Sequence, residues 1–179
     1  MKNIEIKVTV PSFKDIIRNL KNLGADHKGK IDQVDIYFNS RSGRLKIREI
    51  NKKQFELIYY QRSDKKSSRI SQYNRVELDR DKSNLLKKIF GQSLGQKVVV
   101  KKIRDLWIYK NTRIHIDKIK GLGNFVELET VITGHNFYKF KNEHKKVLKA
   151  LSLNRFEIQK QSYSDLLLRF ISHSAAAVN

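Results

Sequence analysis

Strict alternation of apolar and polar residues runs through most of this chain, and it predicts strands. From Lys2 to Val10, Ile4, Ile6, Val8 and Val10 alternate with Asn3, Glu5, Lys7 and Thr9, the two-residue period of a strand with one apolar face. The period returns over 44–50, where Lys46 and Arg48 oppose Leu45 and Ile47. It returns again over 71–78, grouping Ser71, Tyr73, Arg75 and Glu77, and from Val98, where Val100, Lys102 and Arg104 share a face. Residues 33–39 also predict a strand, and residues 55–62, rich in β-favouring types, another with Glu56, Ile58, Tyr60 and Arg62 on one face. A separate strand is expected to begin at Trp107–Lys110. The clearest hairpin is 112–131, in which two alternating runs flank a turn carrying Gly121 and Gly123. Arg113, His115 and Asp117 share one face of that hairpin, and Glu127 and Glu129 share one face of its partner strand.

Helical spacing interrupts the alternation three times. After Pro11, Ser12 with Asp15 resembles a capping box, and Phe13, Ile16, Ile17, Leu20 and Leu23 form an apolar stripe that Gly24 ends. Residues 81–94 predict a helix that buries Leu85, Leu86, Ile89 and Phe90. Residues 136–151 predict another that turns Phe137, Phe140, Val147, Leu148 and Leu151 toward a core. Residues 163–170 satisfy either period, and 63–68 is a polar loop. The sum is about eight strands and three helices with short connections, as antiparallel neighbours require. This predicts one α+β domain over residues 1–170, followed by a disordered tail over 171–179.

Charge narrows the partners. Thirty-eight Lys and Arg against eighteen Asp and Glu give a formal charge of +20, which favours an anionic ligand: nucleic acid, acidic lipid or polyphosphate. The absence of cysteine excludes a disulfide framework and thiolate metal sites. No stretch approaches the roughly 20 apolar residues of a membrane span, and the expectation is a soluble cytoplasmic protein without a membrane partner.

Nearly every predicted strand carries charge on one face. If the sheet curls to enclose that face, its interior holds many cations and a few carboxylates, an arrangement that calls for an anion and a metal. Carboxylates are hard ligands for Mg²⁺ or Mn²⁺, and lysine and arginine suit phosphoryl oxygens, so the combination fits a metal-bound polyphosphate.

These residues resemble the CYTH superfamily of triphosphate tunnel metalloenzymes, which includes class IV adenylyl cyclases, thiamine triphosphatases and inorganic triphosphatases. The likeness covers roughly residues 1–170. The family's opening Glu-x-Glu-x-Lys stands here as Asn3-Ile4-Glu5-Ile6-Lys7, so Asn3 departs from it. Leu45-Lys46-Ile47-Arg48-Glu49 resembles the family's basic strand, and Lys102 and Arg104 its later basic pair. Arg113 and Asp117 are similar to its TRIHLD-type strand, and Glu127-Leu128-Glu129 to its second metal-binding pair. Where many members have a lysine after the third apolar strand this chain has Tyr60, with Arg62 on the same face as a substitute. Residues 162–167 are similar to the cyclase-type branch.

The resemblance implies an eight-stranded antiparallel β-barrel, open at both ends, with helices packed outside. It implies Glu5, Glu127 and Glu129 as ligands of one or two Mg²⁺ or Mn²⁺ ions, with Asp117 added to the catalytic carboxylates. Lys7, Lys46, Arg48, Arg62, Arg75, Lys102, Arg104 and Arg113 would hold the triphosphate. Attack by water makes the protein a triphosphatase acting on inorganic triphosphate, thiamine triphosphate or a nucleotide; attack by a ribose 3′-hydroxyl makes it an adenylyl cyclase. Hydrolysis is the expected outcome because it requires only the triphosphate site. The third alternative is a non-catalytic binder of polyphosphate or RNA, using Lys52-Lys53, Lys65-Lys66, Lys87-Lys88 and Lys145-Lys146. His115, alone among the five histidines, is on the tunnel face, as a wall residue or a proton carrier.

Overall fold

A computed structural model describes residues 2–62, 71–133 and 136–176. The predicted loop 63–68, with Lys65-Lys66, lies outside the described residues. The elements run β1 (Lys2–Thr9), α1 (Lys14–Leu23), β2 (Asp26–Phe38), β3 (Arg44–Ile50), β4 (Gln54–Arg62), β5 (Ser71–Leu78), α2 (Arg80–Ser93), β6 (Gln96–Tyr109), β7 (Thr112–Ile119), β8 (Gly123–Ile132), α3 (Phe137–Ala150) and α4 (Tyr163–Ala176). Among the described residues no helix is long and apolar enough to cross a membrane.

All eight strands form one antiparallel sheet in the order β1-β8-β7-β6-β2-β3-β4-β5. The sheet curls, because one cavity is lined from a single face by residues of β1, β2, β3, β4, β6, β7 and β8. Among the described residues, hydrogen bonds do not close it between β1 and β5. The free edge of β1 is met instead by the segment before α4: Val8 bridges Ile158, and Gln159 N–H donates to the Lys7 carbonyl at 2.8 Å.

The alternation decides which side of the sheet is packed. The outward Val8, Val10, Ile114, Ile116, Val126 and Leu128 are buried against Ile16 and Leu20 of α1, Val147 of α3 and Leu151 just past its end. α3 is further docked by a polar contact, in which Glu143 accepts from Asn111 N–H at 2.9 Å and from the Thr112 hydroxyl at 2.7 Å. Inward residues at one end of the sheet, Tyr37, Val98, Val100, Ile119 and Phe125, are buried against Tyr163 and Leu167 of α4. The tunnel is therefore filled at that end, where the family resemblance predicted two open mouths.

Several local expectations are corrected. Trp107 does not start a new strand, because β6 continues unbroken to Tyr109 and the turn falls at Lys110-Asn111. Residues 163–170 are helical, and the helix passes residue 171, the start of the predicted tail, and runs to Ala176. The capping box does not form, since Ser12 accepts from Lys14 N–H at 3.2 Å while Asp15 pairs with Arg18 at 2.8 Å. Gly24 does end α1, in the left-handed conformation at φ 73°. In α2, Leu85 and Ile89 are 58% and 44% exposed, and Phe137 of α3 is exposed too. Leu86 and Phe90 of the same stripe are half-buried, Phe90 meeting the Phe38 ring of β2 edge-on at 5.4 Å, so the sheet covers only one side of the stripe, while Lys87 reaches Glu49 and Arg80 the Lys52 carbonyl. Ser42-Gly43 makes the turn before β3 as expected, and a Cβ on Gly43 would stand 2.7 Å from the Tyr60 carbonyl oxygen.

Candidate active site in the tunnel

The inward face encloses a cavity of about 220 Å³. Two Lys-x-Arg pairs on β3 and β6 supply its cations. The two-residue spacing sends Lys46 and Arg48 to one face, as it does Lys102 and Arg104. Each pair is set against a buried carboxylate on a neighbouring strand. Asp35 of β2 accepts from Arg48 Nε at 2.8 Å and Nη2 at 3.1 Å, and from Lys46 Nζ at 2.8 Å. Asp117 of β7 accepts from Arg104 Nε at 2.7 Å and Nη2 at 2.6 Å, with Lys102 Nζ 3.7 Å away.

The protonation states follow from burial set against these partners. Burial alone raises Asp35 and Asp117, but the adjacent lysines and arginines outweigh it and hold both carboxyls below the usual carboxylate range. The lysines go the other way. Burial pushes the Lys46 ammonium down to about 8 against the pull of Asp35, and burial with Arg104 alongside takes Lys102 down to about 7. Both arginines are raised by their carboxylate partners, despite burial, and stay charged.

The third wall is β1 with β8, where Glu5 stands opposite Glu129 and Lys7 opposite Glu127. Glu127 accepts from Arg104 Nη2 at 3.1 Å and has His115 Nδ1 3.6 Å away, beyond hydrogen-bond reach. Although burial raises it, the charges of Arg104 and Lys7 hold Glu127 well below its ordinary value. Burial and Arg104 lower His115, so its ring is neutral, and its buried Nδ1 has no hydrogen-bond partner among the described residues. His115 lines the cavity. Lys7 reaches the Gln161 carbonyl and lies over the Tyr163 ring.

Of the residues expected at the site, Glu5, Lys7, Lys46, Arg48, Lys102, Arg104, Glu127 and Glu129 line the cavity. Asp117 does not. It is fully buried behind Arg104 and accepts from the Tyr163 hydroxyl at 3.0 Å, which makes it a positioning group for cations. Arg75 and Arg113 also miss the cavity, being 50% and 49% exposed at the rim, where Arg75 pairs with Glu56 at 3.1 Å and Arg113 with Glu129 at 3.7 Å. The Arg62 side chain lies outside the described residues. Asp35, Tyr37, Tyr60, Ser162 and Tyr163 line the cavity and were not among the expected site residues. Asp35 carried a usable signal, because Gln33, Asp35 and Tyr37 alternate inside a predicted strand.

The metal expectation meets a partial fit. Glu5, Glu127 and Glu129 all line the cavity, and Asn3, which is not a lining residue, has its Oδ1 atom buried with no hydrogen-bond partner among the described residues, so oxygen donors of the type that hard cations take are present. Asn3 Nδ2 donates to Glu129. Among the described residues, however, no three acidic or histidine side chains converge as a ready-made metal site. A cation entering here would draw on Glu5, Glu129 and the Asn3 amide oxygen, with Glu127 already committed to Arg104.

A curled eight-stranded sheet around a cationic interior is a tunnel-type α+β fold, and its relatives share it. The CYTH domain family matches residues 1–163, and the chain belongs to it. A Methanocaldococcus jannaschii protein bearing the name "Putative adenylate cyclase" is 32% identical over 176 residues, covering 93% of this chain and 98% of its own. Among solved structures, a Pyrococcus horikoshii protein is 25% identical with a TM-score of 0.74, covering 92% of this chain and 98% of its own. A Hippeastrum protein, described as an adenylyl cyclase candidate that reveals a dominant triphosphatase activity, shares the fold at 15% identity and a TM-score of 0.69, covering 94% and 95%.

Proposed function

We propose that this protein binds the triphosphate group of a small molecule in the tunnel and hydrolyses its terminal phosphoanhydride. The observation that carries this is the pair of Lys-x-Arg strands aimed into one cavity, each held by a buried carboxylate. Phosphoryl transfer needs positioning and charge neutralisation more than covalent help, and fixed cations supply both. Arg48 and Arg104 present planar donors to phosphoryl oxygens, while Lys7, Lys46 and Lys102 add compact charges. Water's oxygen bonds the terminal phosphorus and gives its proton to solvent, while the bridging P–O bond breaks with its electron pair staying on the bridging oxygen of the departing diphosphate, so that orthophosphate and the diphosphate are the products. A bound Mg²⁺ or Mn²⁺ would add charge neutralisation at the phosphoryl oxygens.

Cavity size supports a compact polyanion: 220 Å³ lies below the ~300–1,000 Å³ usual for drug-sized ligands. The triphosphatase activity described for the Hippeastrum protein points the same way. Cyclisation of ATP is the second reading, favoured by the name of the Methanocaldococcus jannaschii relative. The test incubates the protein with inorganic triphosphate, thiamine triphosphate and ATP, with Mg²⁺ or Mn²⁺, and separates the products. Orthophosphate is expected. Cyclic AMP with pyrophosphate would establish the second reading, and tight binding without turnover would leave a polyphosphate binder.

A further inference from the structure

We propose that Asp35 is a positioning residue of the polyphosphate site: it holds Lys46 and Arg48 in binding geometry without contacting the ligand. The proposal rests on the triphosphate reading of the cavity. Asp35 is buried in the wall, and its two oxygens are fully engaged. Oδ1 accepts from Gln33 Nε2 at 3.1 Å and Arg48 Nε at 2.8 Å; Oδ2 accepts from Gln33 Nε2 at 3.1 Å, Lys46 Nζ at 2.8 Å and Arg48 Nη2 at 3.1 Å. A carboxylate has about four lone-pair sites, so none is left for a metal ion, and its negative charge repels a phosphoryl oxygen. What remains is its effect on the two cations.

That effect is electrostatic as well as geometric. Lys46 faces Asp35 and Tyr37 from β2, Arg48 on its own strand, Tyr60 from β4 and Arg104 from β6. Burial and the two arginines all disfavour its ammonium form, and Asp35 is the anion that opposes them, leaving Lys46 at about 8. Lys102 also lies near enough to feel Asp35. Without the carboxylate, Lys46 sheds its proton near neutrality and the guanidinium of Arg48 loses the fork that orients it. The phosphate site then presents one cation fewer to the ligand at physiological pH, although no group that touches the ligand has been removed.

Asp35→Asn keeps shape and removes charge. Calorimetric titration with inorganic triphosphate, with and without Mg²⁺, is compared for wild type and variant at about pH 6 and about pH 8.5. Each unit by which the Lys46 pKa falls cuts its charged fraction above that pKa about tenfold. The variant should therefore bind within about threefold of wild type at the acid value and at least about tenfold more weakly at the alkaline one. Asp35→Glu, which restores the charge, should restore the wild-type pH profile. If Asp35→Asn does not fold, Lys46→Arg replaces it in the test. A guanidinium stays protonated, so this variant should lose the part of the wild-type decline centred near pH 8. An unchanged decline in Lys46→Arg, or an equal loss at both pH values in Asp35→Asn, overturns the proposal and leaves the triphosphate site standing. Failure of wild type to bind inorganic triphosphate at all overturns the site and the proposal together.

Discussion

Asp35 and Asp117 are counterparts on the two strands that flank β6: each accepts Nε and Nη2 of one arginine, and each is approached by the lysine two residues before that arginine. The tunnel therefore contains two copies of one device on separate strand pairs. Each copy stores cations in the empty protein beside a carboxylate that offsets their mutual repulsion.

Breaking one copy should show how strongly its members depend on each other. Arg104→Met leaves Asp117 buried with Lys102 and the Tyr163 hydroxyl as its partners among the described residues, and loss of one partner of such a pair costs about 3–5 kcal/mol. Adding Asp117→Asn should recover part of that loss. Chemical denaturation of both variants gives the comparison, and a double variant less stable than Arg104→Met would contradict the pairing.

Binding of triphosphate should take up protons. With Lys102 at about 7 and Lys46 at about 8 in the empty site, an arriving anion raises both, so a protein at pH 7.5–8 captures protons as it binds. Calorimetry in buffers of different ionisation enthalpy should report net uptake, and affinity should fall as pH rises. Net release would mean that the lysines are already charged or lie away from the ligand.

The same two lysines shape stability without ligand. Both have folded values below the ordinary 10.5, so between about 7 and 10.5 the unfolded chain binds more protons than the folded one. Their contribution to stability therefore grows as pH rises through that window, by up to about 1.4 kcal/mol per unit for each lysine fully in its range. Denaturation series at pH 7 and pH 9 measure it. Lys102→Met should flatten the slope, and an unaltered slope would remove Lys102 from the account.

Asn3 offers a test of the metal without turnover. Asn3→Glu replaces the amide that donates to Glu129 with a second carboxylate, so in chelator the variant should melt below wild type through like-charge repulsion. Added Mn²⁺ should raise its melting temperature more than it raises that of wild type. Identical responses to Mn²⁺ would place the cation elsewhere.

Period-two alternation revealed the sheet and the cationic face, because strand parity is a local property. It does not encode depth along the strand. Arg75 and Arg113 have the parity of Lys46 and Lys102, yet they sit at the rim, since depth depends on how neighbouring strands are staggered. Asp35 was legible as an inward residue of a strand, but an isolated aspartate among Val34, Ile36 and Tyr37 shows no partner until β3 lies beside β2. Leu166, Leu167 and Leu168 fit helix and strand equally, and only the buried seat of Leu167 among Val98, Val100 and Ile119 shows what the run is for. The stripe of Leu85 and Ile89 misled for the opposite reason, because helical spacing predicts a face and does not guarantee a surface to cover it.

The strap from Ile158 to Leu167 has a bearing on how the molecule is made. It follows every strand in the chain, yet it supplies both the bridge on the bare edge of β1 and the apolar seat at the filled end. β1, the earliest of these eight strands to be synthesised, forms its ladder with β8 among the described residues, Lys7 meeting Glu127 some 120 residues later. Until β8 and then the strap have emerged from the ribosome, Ile4, Ile6 and Val8 stand on a strand with unpaired edges, the condition under which chains associate wrongly. Folding of this protein is thus committed late, and a truncation before residue 158 is expected to accumulate as aggregate instead of as a smaller folded barrel.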